Sequence, residues 1–313
     1  MSNMFDKVVL HGILDSMAHA DYLINLEHLQ RCSEGDTVYY SSTALANLSG
    51  VQMRIDGYYV RINCSLHKMY YRAKYGRLDN TQMFTISEAR TIVRDLLSAW
   101  SLDIRKVRVT YYEVGLNLPV DKEPLEYISM VHCVGGSREK ELFNDANFEK
   151  NRQKTTERGR AIKKVFKIYD KGYEARSKGH DVEGNILRIE TIYRRQDIPL
   201  QEFLSTENVS KMLGIFYRDW LEIGFERKVS ALPGVKVSQV DKAEKIIKYG
   251  TEKYLQMSRD DYAAGTLSAK QFRTIREFIQ KWPQMREKFK FIPTAYELEY
   301  LSKYKNMFNT AQN

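Results

Sequence analysis

Hydrophobic and polar positions alternate along much of the first two hundred residues. Lys7–Ile13 and Thr37–Tyr40 are short runs of this kind. In Val51–Ile55 and Tyr58–Asn63 the two flanks are joined by Asp56-Gly57, which predicts a hairpin with a type I′ turn. The period then lengthens. Thr85 and Glu88 have capping-box spacing, and Ala89, Ile92, Val93, Leu96, Leu97 and Trp100 form one helical stripe. A long strand, Lys106–Leu118, should close at Pro119, and Glu123–Val134 reads as a helix. Gly135–Arg160 is polar and reads as a loop, partly helical. Strands follow at Lys163–Lys171 and Ile186–Tyr193.

After about residue 205 helical spacing takes over. Val209, Met212, Leu213, Phe216, Trp220 and Ile223 line one face, and Lys242–Tyr254, Ala269–Trp282 and Ala295–Phe308 extend the pattern, with Pro283 ending or kinking the third. The predicted fold class is α+β, a mainly antiparallel sheet with flanking helices followed by a helical C-terminal region. The predicted domains are an α+β unit over 1–205 and a basic helical unit over 206–313.

Composition narrows the function classes. Of 313 residues, 43% are hydrophobic and 28% charged, which suits a packed chain and excludes a disordered one. No apolar run approaches the roughly 20 residues needed to cross a bilayer. The start, MSNMFDKVVLHG, has no basic leader with an apolar stretch. Three cysteines form no CxxC, so a disulfide framework or zinc site is not expected and a reducing cytoplasm is. With 49 Lys+Arg against 40 Asp+Glu, the net charge of +9 favours anionic partners. The densest run, Lys150–Lys171, has nine basic side chains against Glu157 and Asp170. Lys150, Arg152, Lys154, Arg158, Arg160, Lys163 and Lys164 are therefore candidate DNA-phosphate contacts.

Three strand segments carry polar groups that a structural strand does not need. Glu113 and Asn117 are four apart and share a face, as do Arg188 and Glu190, and Tyr169 and Lys171. Two carboxylates, a phenol and an ammonium on one sheet suit phosphodiester transesterification, with Mg²⁺ or Mn²⁺ polarising the phosphate and a tyrosine oxygen attacking. The same residues also suit ordinary surface ion pairing. No GxxxxGK[ST] or GxGxxG sequence is present, which disfavours an ATPase or dinucleotide enzyme. No two histidines stand as His-apolar-His. His132 falls on the expected helix, and His67 reads as a surface-loop residue after a strand.

At these segments the chain resembles the rolling-circle replication initiators of filamentous phages and small plasmids. The residues are Tyr111-Tyr112-Glu113, then Tyr169-Asp-Lys171-Gly-Tyr-Glu174, then Arg188-Ile-Glu190, in family order over about 50–195. The resemblance implies that Tyr169 is the nicking nucleophile assisted by Lys171, and that Glu113 and Glu190 bind the metal. Two positions depart from the pattern. The first acid is commonly Asp, and Asn117, a weaker ligand to the metal, stands where some members have a second acid. It also implies a replication initiator, a metal-dependent endonuclease that nicks an origin through a covalent phosphotyrosine in a bacterial host. Single- and double-stranded DNA, a host helicase and a single-strand-binding protein are the implied partners. A mobilisation relaxase or transposase with the same chemistry, or a non-catalytic nucleic-acid-binding protein, are the alternatives.

Overall fold

The computed structural model describes residues 5–42, 50–76, 84–135, 141–146, 148–156 and 164–312. Its strands, in chain order, are β1 (Phe5–Ile13), β2 (Gln30–Glu34), β3 (Thr37–Ser41), β4 (Val51–Asp56), β5 (Tyr59–Ser65), β6 (Val107–Val120), β7 (Val131–Val134) and β8 (Glu141–Asn144). They continue as β9 (Gln153–Thr156), β10 (Lys164–Asp170), β11 (Asn185–Tyr193), β12 (Ile198–Pro199), β13 (Gly224–Phe225), β14 (Lys228–Ala231) and β15 (Phe289–Ile292). Among the described residues thirteen form one antiparallel sheet, in the order β13-β7-β8-β9-β10-β11-β6-β1-β5-β4-β3-β2, with β12 beside β6. The expected α+β class, a large antiparallel sheet with flanking helices and a helical C-terminal region, is therefore what the chain adopts.

One face of the central strands builds the main core. Val114, Leu116, Leu118, Phe166, Ile168, Leu187 and Ile189 are all buried there. Helix Thr206–Leu221 covers them with Val209, Met212, Leu213, Phe216 and Trp220, as its 3.6-residue spacing foretold. The indole Nε1 of Trp220 donates to Thr191 Oγ1 at 2.9 Å. Helix Ala295–Gln312 docks on top, with Tyr300 Oη donating to the Trp220 carbonyl at 3.1 Å. Both helices lie beyond residue 205 yet share the core of the sheet. A second hydrophobic cluster is built only from residues between Val229 and Phe291, with Ala243, Ile246, Tyr254, Ile275, Phe278, Trp282 and Phe289 at its centre. β14 and β15 close this part as a two-stranded ribbon, Lys228 opposite Ile292.

Local chemistry accounts for the agreements and for the differences. Helix Ile86–Ala99 has the capping box, Thr85 N–H donating to Glu88 Oε2 and Glu88 N–H to Thr85 Oγ1. The β4–β5 turn is centred on Gly57-Tyr58, not Asp56-Gly57, because Asp56 pairs with Tyr59. Only Gly57 of the two takes positive φ, so the type I′ turn is not formed. β6 runs through Pro119 to Val120. Among the described residues β1 pairs with it only up to Val114, and proline is tolerated where one side of a strand is open. Residues 124–130 are helical, but Val131–Val134 forms β7 and so carries His132 on a strand, because Cys133 and Val134 pair with Leu142 and Glu141. The expected loop 135–160 includes β8 and β9. Helix 242–254 becomes two helices, Val237–Tyr249 and Thr251–Ala263, separated at Gly250 with φ +76°. Helices Met17–Leu26 and Leu66–Tyr75 were not foreseen. His67 sits in the latter, fully buried, its ring stacked 4.8 Å from that of Phe84, and is not a surface-loop residue.

Candidate active site on the second face of the sheet

The other face of β10, β11 and β6 is polar. Register fixes what meets there: Tyr169 faces Arg188, Lys167 faces Glu190, Arg188 faces Asn117, Glu190 faces Gly115 and Ile192 faces Glu113. Directly opposed residues share a face, so these side chains are neighbours. The expected shared faces of Glu113 with Asn117 and of Arg188 with Glu190 follow from this alternation. Gly115 leaves the space they need. A Cβ there would stand 2.8 Å from Arg188 Nη2 and 2.9 Å from Glu190 Cγ.

A residue that pattern reading did not select completes the site. β1 pairs Phe5 with Val114 and Val8 with Tyr112, so Asp6 and Lys7 both oppose the single residue Glu113. This β-bulge turns Asp6 onto the polar face. Its carboxylate, with those of Glu113 and Glu190, offers three oxygens within 4.8 Å of one another. Sequence patterning missed Asp6 because simple alternation along Lys7–Ile13 ignores a bulge, although an acid inside Phe5-Asp-Lys-Val-Val-Leu was a visible anomaly.

Arg188 lies fully buried among these acids. It donates from Nε to Glu190 at 2.7 Å, from Nη1 to Asn117 Oδ1 at 2.9 Å and from Nη2 to Asp6 at 3.2 Å. Asn117 thus meets a guanidinium and stands outside the carboxylate triad. Ser65 Oγ donates to Asp6 at 2.5 Å. Tyr111 Oη donates to Glu113. Burial alone would raise the Asp6 carboxyl, but Arg188, Lys171 and the Ser65 hydrogen bond hold it below the usual carboxylate range. Glu113 moves the other way. Burial, then the negative charges of Glu190 and Asp6, push it up to about 7. The three acids stand against Arg188, with Lys167 Nζ 3.9 Å from Glu190, and an all-oxygen carboxylate set is what a hard divalent cation takes. Asp6, Glu113 and Glu190 could hold such an ion, with half-buried Glu113 as the member nearest solvent.

Tyr169 stands at the edge of this cluster. It is 5% exposed, and its Oη donates to Glu190 Oε1 at 3.3 Å. Burial first, then the Glu190 charge, raise its pKa well above the usual phenol value. Lys167 Nζ lies 4.2 Å from the ring centroid and Lys171 Nζ 5.9 Å. The expected strand through Lys171 ends one residue early. Asp170 accepts from Tyr173 N–H at 2.8 Å and caps helix Lys171–Arg176, so Lys171 begins a helix and its nearness to Tyr169 does not arise from strand alternation. Its ammonium donates to Glu174 at 2.6 Å. Burial, then Arg188, lower its pKa. Tyr173, by contrast, is 36% exposed, with the Arg152 guanidinium 4.3 Å from its ring centroid.

The basic run is dispersed. Lys150 is exposed. Arg152 pairs with Asp170 at 3.2 Å. Lys154 is buried, donates to the Val131 carbonyl at 2.9 Å and pairs with Asp145 at 3.2 Å, a structural tether rather than an exposed phosphate contact. Lys164 pairs with Asp219. Arg158, Arg160 and Lys163 lie outside the described residues. Among the described residues no helix is long and apolar enough to cross a membrane.

No protein-family model matches the chain. No curated protein matches it either. Among solved structures it is similar to a rolling circle replication initiator protein from Geobacillus stearothermophilus, at TM-score 0.35 and 10% sequence identity, over 78% of this chain and 95% of that one.

Proposed function

We propose that the chain is a replication initiator that nicks and rejoins DNA through Tyr169, with a divalent cation held by Asp6, Glu113 and Glu190. The observation that carries the reading is the convergence of three carboxylates within 4.8 Å, with a phenol oxygen 3.3 Å from one of them. The catalytic unit comprises the large sheet with helices Thr206–Leu221 and Ala295–Gln312, and residues 228–292 form a separate module.

Held by Asp6, Glu113 and Glu190, Mg²⁺ or Mn²⁺ would supply charge that polarises the scissile phosphate. The protein does the rest. Arg188 fixes Glu190 and Asp6 so that both present oxygens to one point. Glu190 orients the Tyr169 hydroxyl by accepting its hydrogen bond. The Tyr169 oxygen, giving its proton to Lys171, bonds to phosphorus as the bond to the 3′-oxygen breaks, which leaves a 5′-phosphotyrosine and a 3′-hydroxyl. Lys171, with its lowered pKa, is placed to stabilise the phenolate and to return a proton to the departing oxygen. The free 3′-hydroxyl then primes a host polymerase, and a host helicase and single-strand-binding protein extend the reaction.

The test is incubation of the purified chain with supercoiled DNA carrying its origin and Mn²⁺, followed by denaturing electrophoresis and mass spectrometry. A covalent adduct on Tyr169, lost in EDTA, is the expected result. An adduct on another tyrosine would overturn the assignment.

A further inference from the structure

The module between Val229 and Phe291 has its own core and most of the molecule's charge imbalance. Residues 228–292 carry 14 Lys+Arg against 7 Asp+Glu, a net of +7. The remaining residues carry 35 against 33, a net of +2. Near the catalytic sheet the described cations of the basic run are largely committed elsewhere: Arg152 to Asp170, Lys154 to carbonyls and Asp145, and Lys164 to Asp219. An extended phosphate-binding surface is better supplied by the module.

Its second and third helices have a particular relation. Thr251–Ala263 and Ala269–Met285 are joined by the five residues Ala264–Ser268, with Gly265 at φ +77°. The turn is fixed from both sides. Tyr262 and Phe272 stack at 5.2 Å with their planes 7° apart, and Ser268 caps the following helix by accepting from Gln271 N–H. Ile275, Phe278 and Trp282 bury the inner side of Ala269–Met285. Its outer side exposes Lys270, Arg273, Arg276 and Lys281. Glu277 is the acid on that side, 3.9 Å from Arg273, and both side chains remain more than half exposed. The ribbon adds Lys228 and Lys290, both exposed.

We infer that Ala269–Met285, the second helix of the helix pair 251–285, lays its cationic outer face in the major groove of duplex DNA. A helix with a cationic outer face at its N-terminal turns, anchored by a preceding helix across a glycine-containing turn, can present those cations to a groove. Arginine at these positions suits both phosphate and the guanine edge. The inference rests on the DNA-nicking reading for its biological substrate, since it gives the module the task of holding the duplex while Tyr169 acts on one strand.

The test uses the full chain, a short random-sequence duplex, and a pool of duplexes selected by the wild-type protein. Arg273→Glu combined with Arg276→Glu should lower affinity for both probes about tenfold or more. Lys211→Glu, the same charge reversal on the exposed side of Thr206–Leu221, should leave both unchanged. Arg273→Ala alone should weaken the selected duplexes more than the random one. Cleavage of single-stranded DNA in Mn²⁺ should be unaffected by any of these changes. Duplex affinities equal in wild type and double variant would overturn the helix assignment, as would equal losses from Lys211→Glu. The two readings fail separately. If no DNA is cleaved but duplex binding still depends on Arg273 and Arg276, the nicking reading falls and the assignment of Ala269–Met285 stands. If nicking proceeds while duplex binding ignores them, the reverse holds.

Discussion

Tyr169 and Tyr173 differ by four positions and by everything around them. Tyr169→Phe keeps ring, packing and strand propensity and removes the oxygen 3.3 Å from Glu190. It should abolish the covalent adduct while leaving DNA binding unchanged in a filter or fluorescence assay. Tyr173→Phe should remain largely active, since its exposed ring lies against Arg152 and the hydrogen bond to Glu190 belongs to Tyr169. Glu113 gives a pH signature. Its pKa near 7 stands above the ordinary 4.5, so folding takes up a proton between those values. Its contribution to stability is therefore complete below about 4.5 and lost as pH rises through about 7. In EDTA the melting temperature should fall across that window, and Mn²⁺ should restore it most at the alkaline end. Calorimetric Mn²⁺ affinity should weaken as pH drops below 7, because the ion must displace the proton. Glu113→Gln should flatten both profiles. Gly115→Ala should place a methyl against Arg188 and Glu190 and cost about 1–3 kcal/mol in denaturant unfolding. Mn²⁺ affinity should decline with it.

At the scale of elements, Asp170 joins a strand to a helix and thereby places two catalytic candidates. Asp170→Ala removes the acceptor for Tyr173 N–H and should cost about 1 kcal/mol in thermal unfolding. It should also slow nicking, because Lys171 starts the helix that this cap holds. How much of the site was legible follows from such local rules. The capping box at Thr85 and Glu88 was readable because both partners lie within one turn. The faces of β6 and β11 were readable because strict alternation held across Glu113, Asn117, Arg188 and Glu190. Asp6 was not, since a bulge is set by the register against β6, which no local pattern encodes. β7 was missed for a related reason. Val131–Val134 follows a helical run directly, and its strand character comes from pairing with Leu142 and Glu141. Lys154 looked like a phosphate contact because charge density ignores the inward turn of a side chain.

For the molecule as a whole, the excess charge and the proposed active site are divided between two hydrophobic cores. If the basic module neutralises about six phosphates, log Kd for duplex DNA should change with log salt at a slope near 5 in magnitude. Titrations at several salt concentrations would measure it, and a chain lacking the cationic side chains of Ala269–Met285 should have a smaller slope. Lys228 and Ile292 stand opposite each other in the ribbon, so the chain leaves the unit built on the large sheet and returns to it at neighbouring points. Such a segment is an insertion, and insertions with adjacent ends can be exchanged without rewiring their host. A short Gly/Ser bridge in place of 228–292 should leave Tyr300 able to bond the Trp220 carbonyl as before. On the proposed reading, the part that would read a DNA sequence and the part that would cut it are then separable: a lineage could change its target by trading a cassette, with Tyr169 and the three carboxylates untouched.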